Sequence, residues 1–232
     1  MMVTMIKSSR NIWFSMVLLV LSAGGVVSGQ QKDFQSWFEA EVQKGLKNGV
    51  DLSGEFEQRF SNNSMQYDRT MLTLSASFDP LDFLSAGGGI RMVTAADREG
   101  NLQPGYRIHA DATGKYTWAG VDLSLRVRFQ YGFEEFIYFA DISDNAFVNR
   151  NRIKASYHIF GTRFEVFGSA EAWGLLNNLD GRFFKRMRYS AGGSCQLNFR
   201  SNLGLSYILE DEFNRVNPMQ SHILVFSYFY NL

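Results

Sequence analysis

From Val121 to Phe133 every odd position is large and apolar or aromatic: Val121, Leu123, Leu125, Val127, Phe129, Tyr131 and Phe133. Between them stand Asp122, Ser124, Arg126, Arg128 and Gln130. A period of two belongs to a β-strand, whose successive side chains leave opposite faces. Such a strand has one face that needs apolar surroundings and one that needs ionic or wet ones. The pattern returns between Arg150 and Ile159, where Ile153, Ala155, Tyr157 and Ile159 alternate with Arg150, Arg152, Lys154, Ser156 and His158. Eleven segments of this kind can be counted: 33–46, 50–60, 67–78, 84–94, 105–116, 121–133, 147–160, 163–174, 184–198, 202–213 and 219–232. No helix-period stretch competes with them. The three prolines, Pro80, Pro104 and Pro218, fall among turn-like residues, as they must if the runs between are ladders.

The breaks sort by length. Short ones, at 47–49, 79–82, 118–120, 161–162 and 198–201, alternate with long ones at 61–66, 95–104, 134–146, 175–183 and 211–218. Segments of about ten residues fit a tilted crossing of a bilayer, and short turns on one side with long loops on the other is the outer-membrane habit. A soluble ligand-binding barrel would alternate along its strands without sorting its loops. The final segment, SHILVFSYFYNL, puts Leu224, Phe226, Tyr228, Tyr230 and Leu232 on one face. It looks like the closing strand of such a barrel, which presents an insertion signal to the barrel-assembly machinery. Tyr228 with Tyr230, and Trp118 with Tyr116 and Tyr106, are placed to form interfacial aromatic belts.

The expected fold is therefore all-β, a single antiparallel up-and-down transmembrane barrel of 10–12 strands. Twelve is preferred, because bacterial barrels of this kind have even strand numbers. Phe136–Ala140 is the candidate for a strand the count missed. Residues 1–29 read as a cleaved signal peptide, with Lys7 and Arg10 before the apolar run Ile12–Val27 and small residues at Ser28 and Gly29; residues 30–232 form the barrel. The expected location is the outer membrane of a gram-negative cell, among phospholipid and lipopolysaccharide. A net charge of zero gives no electrostatic reason for nucleic acid. One cysteine excludes an intrachain disulfide, and three scattered histidines offer no metal-ligand spacing, so neither metal nor cofactor is expected.

If the apolar face meets lipid, the charged face lines a lumen. Acids there include Glu39, Glu41, Glu55, Glu57, Asp111, Asp122, Glu165, Glu171, Glu210 and Glu212. Bases include Arg59, Arg69, Arg91, Arg107, Arg126, Arg128, Arg150, Arg152, Lys154, Arg163, Arg186 and Arg188. Near balance of sign fits a lumen filled and stiffened by ion pairs, since a buried charge left unpaired costs several kcal/mol. The distribution is less even. Glu39, Glu41, Glu55 and Glu57 form an acidic wall on the first two strands. Arg126, Arg128, Arg150, Arg152 and Lys154 form a basic wall opposite, with Arg186 and Arg188 extending it. Folding about residue 140 sets Arg128 opposite Arg152 and Arg126 opposite Lys154, a like-charge arrangement that needs neutralising.

The chain resembles a group of gram-negative outer-membrane barrels known only as a domain of unknown function. The resemblance lies in Trp37, Glu-Gln-Arg-Phe at Glu57–Phe60, Arg-Val-Arg at Arg126–Arg128, Arg-Asn-Arg at Arg150–Arg152, Arg-Met-Arg-Tyr at Arg186–Tyr189, and the His222 strand. It implies a barrel over the whole mature chain and brings no activity with it.

Three functions fit these residues. The first is a barrel whose charged lumen is either plugged or a narrow pore for small ionic solutes. The second is an anion site on the Arg126/Arg128/Arg152/Lys154 wall, where guanidinium groups offer bidentate bonds to carboxylate or phosphate. The third is a lipid-modifying hydrolase, as some outer-membrane barrels are. That needs a serine, a histidine and an orienting group in contact. His222, near the long-loop end, would take its serine from a neighbouring strand, Ser206 being the candidate, yet no hydrolase motif surrounds His109, His158 or His222. No catalytic residue is assigned. Gly87-Gly88-Gly89 leads into no helix, so it is read as a bend or a close backbone approach.

Overall fold

The computed structural model describes residues 31–47, 49–96, 100–133, 146–177, 183–214 and 217–232. The expected signal peptide and the candidate strand Phe136–Ala140 lie outside them. Eleven strands follow in series: β1 (Gln31–Gly45), β2 (Val50–Ser61), β3 (Gln66–Leu81), β4 (Leu84–Ala96), β5 (Leu102–Trp118), β6 (Val121–Phe133), β7 (Ala146–His158), β8 (Phe164–Leu175), β9 (Phe184–Asn198), β10 (Ser201–Glu212) and β11 (Met219–Asn231). Each pairs with the next, and β11 returns to β1 to close the barrel.

The preference for twelve strands is corrected to eleven, inside the expected range. The ring has no gap for another among the described residues. β6 pairs directly with β7 from Val121↔Tyr157 to Gly132↔Ala146. β1 pairs with β11 from Gln31↔Met219 to Gln43↔Asn231. An odd number of strands joined in series leaves first and last pointing the same way, so this seam is parallel, where every pair was expected to be antiparallel. The even-number rule presumes an antiparallel seam, and the slanted bonds of a parallel pair close the ring as well. Phe38 and Phe226 stack across the seam on the outside, with centroids 5.4 Å apart.

Alternation decides which face of each strand looks inward. Leu125, Ile90 and Ile153 are 51%, 51% and 63% exposed on the outside, whereas Trp37, Met71 and Ile223 inside are at 2%, 1% and 0%. The outer surface is paved with such residues, a continuous apolar skin far beyond what water tolerates on a soluble protein. Inside, three apolar clusters sit towards the long-connection end: Trp37 with Ile208, Ile223 and Val225; Ala146 with Val148, Trp173 and Leu175; and Met71 with Val93 and Ala95.

The short connections are tight. Trp118 pairs with Val121, so β5 and β6 are joined by Ala119–Gly120 alone. Both residues have positive φ, 51° and 81°, the hairpin turn whose twist matches the strands it joins. Pro80 lies where the β3–β4 register shifts between Phe78 and Leu81, a bulge that frees it from donating to the ladder. The triple glycine is a close approach. A Cβ on Gly89 would lie 2.5 Å from the Leu74 carbonyl oxygen and 2.8 Å from the His109 ring, and one on Gly88 would lie 2.8 Å from the His109 carbonyl oxygen.

Candidate functional site

The inward faces enclose a cavity of about 840 Å³. Towards the long connections it is lined by Lys32, Ser61 and Asn62, and towards the short turns by Glu41, Lys154, Phe167 and Phe229. Strand parity sends every residue of both expected walls into it: Glu39, Glu41, Glu55 and Glu57 from β1 and β2, and Arg126, Arg128, Arg150, Arg152 and Lys154 from β6 and β7. In the ring, β1 and β2 lie across from β6 and β7. Arg163, counted among the lumenal bases, lies instead in the short turn before β8 and is exposed.

The register between β6 and β7 differs from the expectation by two residues. Arg126 stands opposite Arg152, Arg128 opposite Arg150, and Ser124 opposite Lys154. Strand registers are set by the packed faces rather than by the midpoint of a loop. The outcome is two like-charged pairs in direct apposition, which only neighbouring strands can neutralise. From β8, Glu171 accepts from Arg126 at 2.7 Å, from Arg150 at 2.9 Å and from the Trp173 indole N–H at 3.1 Å. From β5, Asp111 accepts from Arg128 at 2.8 Å. Two carboxylates thus answer three of the five cations. Lys154 lies over the face of Phe167, at 4.8 Å, and has no ion pair within 4 Å among the described residues. Arg152 forms no ion pair among the described residues, and its Nε, like those of Arg126 and Arg150, is enclosed without an acceptor.

The acidic wall is treated in the same way. Arg59 pairs with Glu57 at 2.5 Å, and Arg91 reaches Glu55 at 3.0 Å while bonding Thr73 at 2.7 Å. Glu39 stands opposite Glu57 and Glu41 opposite Glu55 in the β1–β2 register. Among the described residues neither Glu39 nor Glu41 has an ion pair, and both are half-buried.

Arg186 and Arg188 belong to a different construction. Arg186 pairs with Glu210 at 3.1 Å and Glu212 at 2.8 Å, and Arg188 pairs with Glu210. The Arg188 guanidinium lies 5.1 Å from the Trp37 ring and 5.3 Å from the Trp173 ring. Arg59 covers Trp37 at 3.5 Å, and Arg150 covers Trp173 at 3.9 Å. The sequence Arg59, Trp37, Arg188, Trp173, Arg150 is a continuous stack of cations and rings from β2 to β7, through the long-connection half of the lumen. Each contact of this kind is worth about 1 to 2 kcal/mol when desolvated. The reading of the sequence missed both tryptophans as lumen residues. The signal was present: Trp37 shares parity with Glu39, and Trp173 with Glu171.

The other candidates separate. His109 faces inward beside Asp111, 3.9 Å away. His222 faces outward, and its Nδ1 meets the Tyr207 hydroxyl at 2.5 Å. Ser206 lines the cavity on the opposite face, so the serine–histidine contact a hydrolase would need is not made between them. No group of three metal-binding side chains occurs among the described residues. Leu224, Phe226, Tyr228 and Tyr230 share the outward face of β11, and the Leu232 amide after it donates to the Gln43 carbonyl at 2.9 Å.

Against known proteins, residues 34–220 match the family described as "Protein of unknown function (DUF2490)". No curated protein matches the chain. Among solved structures, the NanC porin superposes with a TM-score of 0.55 at 14% identity, covering 86% of this chain and 99% of that one. The β domain of the Bordetella autotransporter BrkA superposes at 0.46 with 12% identity, covering 80% and 85%. The first likeness is one of fold, a closed β-barrel of the porin type.

Proposed function

The chain belongs to the DUF2490 family, which carries no assigned function, and we propose from its lumen that it is an outer-membrane barrel giving narrow passage to small ionic solutes. The observation that carries this is the distribution of ionisable groups that stand outside ion pairs. Arg152 and Lys154 on one wall, and Glu39 and Glu41 on the other, line one cavity without ion pairs among the described residues. A purely structural filling would pair them, because an isolated enclosed charge costs several kcal/mol. Groups that stay half-hydrated beside a water-filled path avoid that cost and act on whatever passes. The cation–ring stack in the long-connection half keeps the path narrow.

The apolar exterior supports the membrane setting, and exposed Phe83, Trp118, Phe160 and Phe199 at the short turns suit the bilayer interface. On this reading the partners are outer-membrane lipid and lipopolysaccharide. The barrel-assembly machinery would read β11 through Leu224, Phe226, Tyr228, Tyr230 and Leu232.

Purified protein in planar bilayers tests it. The expected record is small conductance steps, with Arg152→Glu plus Lys154→Glu shifting the reversal potential towards cation preference. Absence of current, or large steps indifferent to that substitution, would contradict the narrow charged path.

A further inference from the structure

Resting on that reading, we infer that the short-turn half of the lumen is a subsite for small zwitterionic solutes, with short peptides as the matching class. On the β6–β7 wall, the Nε–H groups of Arg126 and Arg152 are enclosed with no acceptor. Glu171, beside Arg152 in the β7–β8 register, is already shared between Arg126 and Arg150. Enclosed donors without acceptors call for an anion, and guanidinium groups suit a carboxylate. Lys154 adds a second positive charge one step nearer the short turns.

Across the cavity the demand has the opposite sign. Arg59 on β2 and Arg91 on β4 are held by Glu57 and Glu55. Glu39 and Glu41 are left facing the cavity without an ion pair among the described residues. A simple anion would satisfy one wall and be repelled by the other, and a simple cation the reverse. A solute with a carboxylate at one end and an ammonium at the other answers both at once. The remaining lining in this half includes the hydroxyls of Ser169, Ser190, Ser206 and Ser227, which suit peptide amides, beside the rings of Phe167 and Phe229.

The test uses three probes of one body: triglycine, its N-acetyl derivative, which keeps only the negative charge, and its C-terminal amide, which keeps only the positive one. Binding to the folded mature barrel in detergent is measured by calorimetry, so it does not depend on conduction. Triglycine is expected to bind roughly two- to fivefold more tightly than either derivative, the worth of one partly hydrated ion pair at each end. Glu39→Gln plus Glu41→Gln should bring triglycine down to the acetylated peptide and leave the latter unchanged. Arg152→Gln plus Lys154→Gln should bring it down to the amide. Retention of the folded, heat-modifiable gel band checks each variant. Equal binding of triglycine and its acetyl derivative, or no binding of any probe, would overturn the subsite. Loss of conductance with probe discrimination intact would sink the conduit reading instead.

Discussion

Glu171→Gln is the most informative single change, because one carboxylate holds together the most crowded positive charge in the barrel. Glu171 receives Arg126 at 2.7 Å and Arg150 at 2.9 Å, with its side chain 4% exposed. It also takes the Trp173 indole N–H at 3.1 Å, which fixes the ring under the Arg150 guanidinium. An amide in its place keeps one acceptor and loses the charge. Removing one partner of an enclosed ion pair costs about 3 to 5 kcal/mol, because the other charge stays behind uncompensated. Here two arginines stay behind, with the Arg126↔Arg152 repulsion unrelieved. The surviving amide acceptor holds the expected loss near the lower end, about 3 kcal/mol. Equilibrium urea unfolding in lipid vesicles, followed by tryptophan fluorescence, reads it as a lower midpoint at unchanged slope. Asp79→Asn is the control. It breaks the Lys115–Asp79 pair, whose side chains are 47% and 53% exposed, and should cost no more than about 1 kcal/mol. Pairing Glu171→Gln with Arg150→Met should recover much of the loss, since removing both partners is far cheaper than removing one. A Glu171→Gln barrel as stable as the Asp79→Asn control would refute the reasoning.

Three further outcomes are expected. Ile153→Arg, on the outward face, should lower the stability of the membrane-inserted barrel by about 2 to 4 kcal/mol, while Ser190→Asn on the inward face should fold in normal yield in the same vesicle assay. Gly89→Ala should cost about 1 to 3 kcal/mol, because its Cβ would press within 2.5 Å of the Leu74 carbonyl; Gly114→Ala, whose nearest contact is 4.0 Å away, should be close to neutral. Trp37→Ala should remove the ring shared by Arg59 and Arg188 and raise single-channel conductance by loosening the stack, with the reversal potential unchanged because no charge is lost.

The barrel was legible because alternation is a covalent fact of strands: parity alone sent Arg126, Arg152, Glu39 and Glu41 to the correct face. The closing seam was not legible, because nothing in β1 or β11 states whether its partner runs parallel. The β6–β7 register slipped by two residues because it is fixed by packing of both faces, and the loop midpoint is a poor guide to that. Which charges are paired was hidden as well. Glu171 and Glu210 look no different in sequence from Glu39 and Glu41, yet the first two meet arginines on adjacent strands and the second two meet other glutamates. Trp37, named only for the resemblance, and Trp173 were not placed in the lumen because their part there depends on guanidinium groups brought from other strands.

Cysteine scanning of β7 tests the central sorting of side chains most directly. In a Cys195→Ser background, single cysteines at positions 150 to 155 are exposed to a water-soluble, membrane-impermeant thiol reagent with the barrel in lipid. Labelling at 150, 152 and 154, with protection at 151, 153 and 155, is the predicted pattern. Uniform labelling, or stronger labelling at 153 than at 152, would mean that the apolar face is not against lipid and the charged face does not enclose a wet interior.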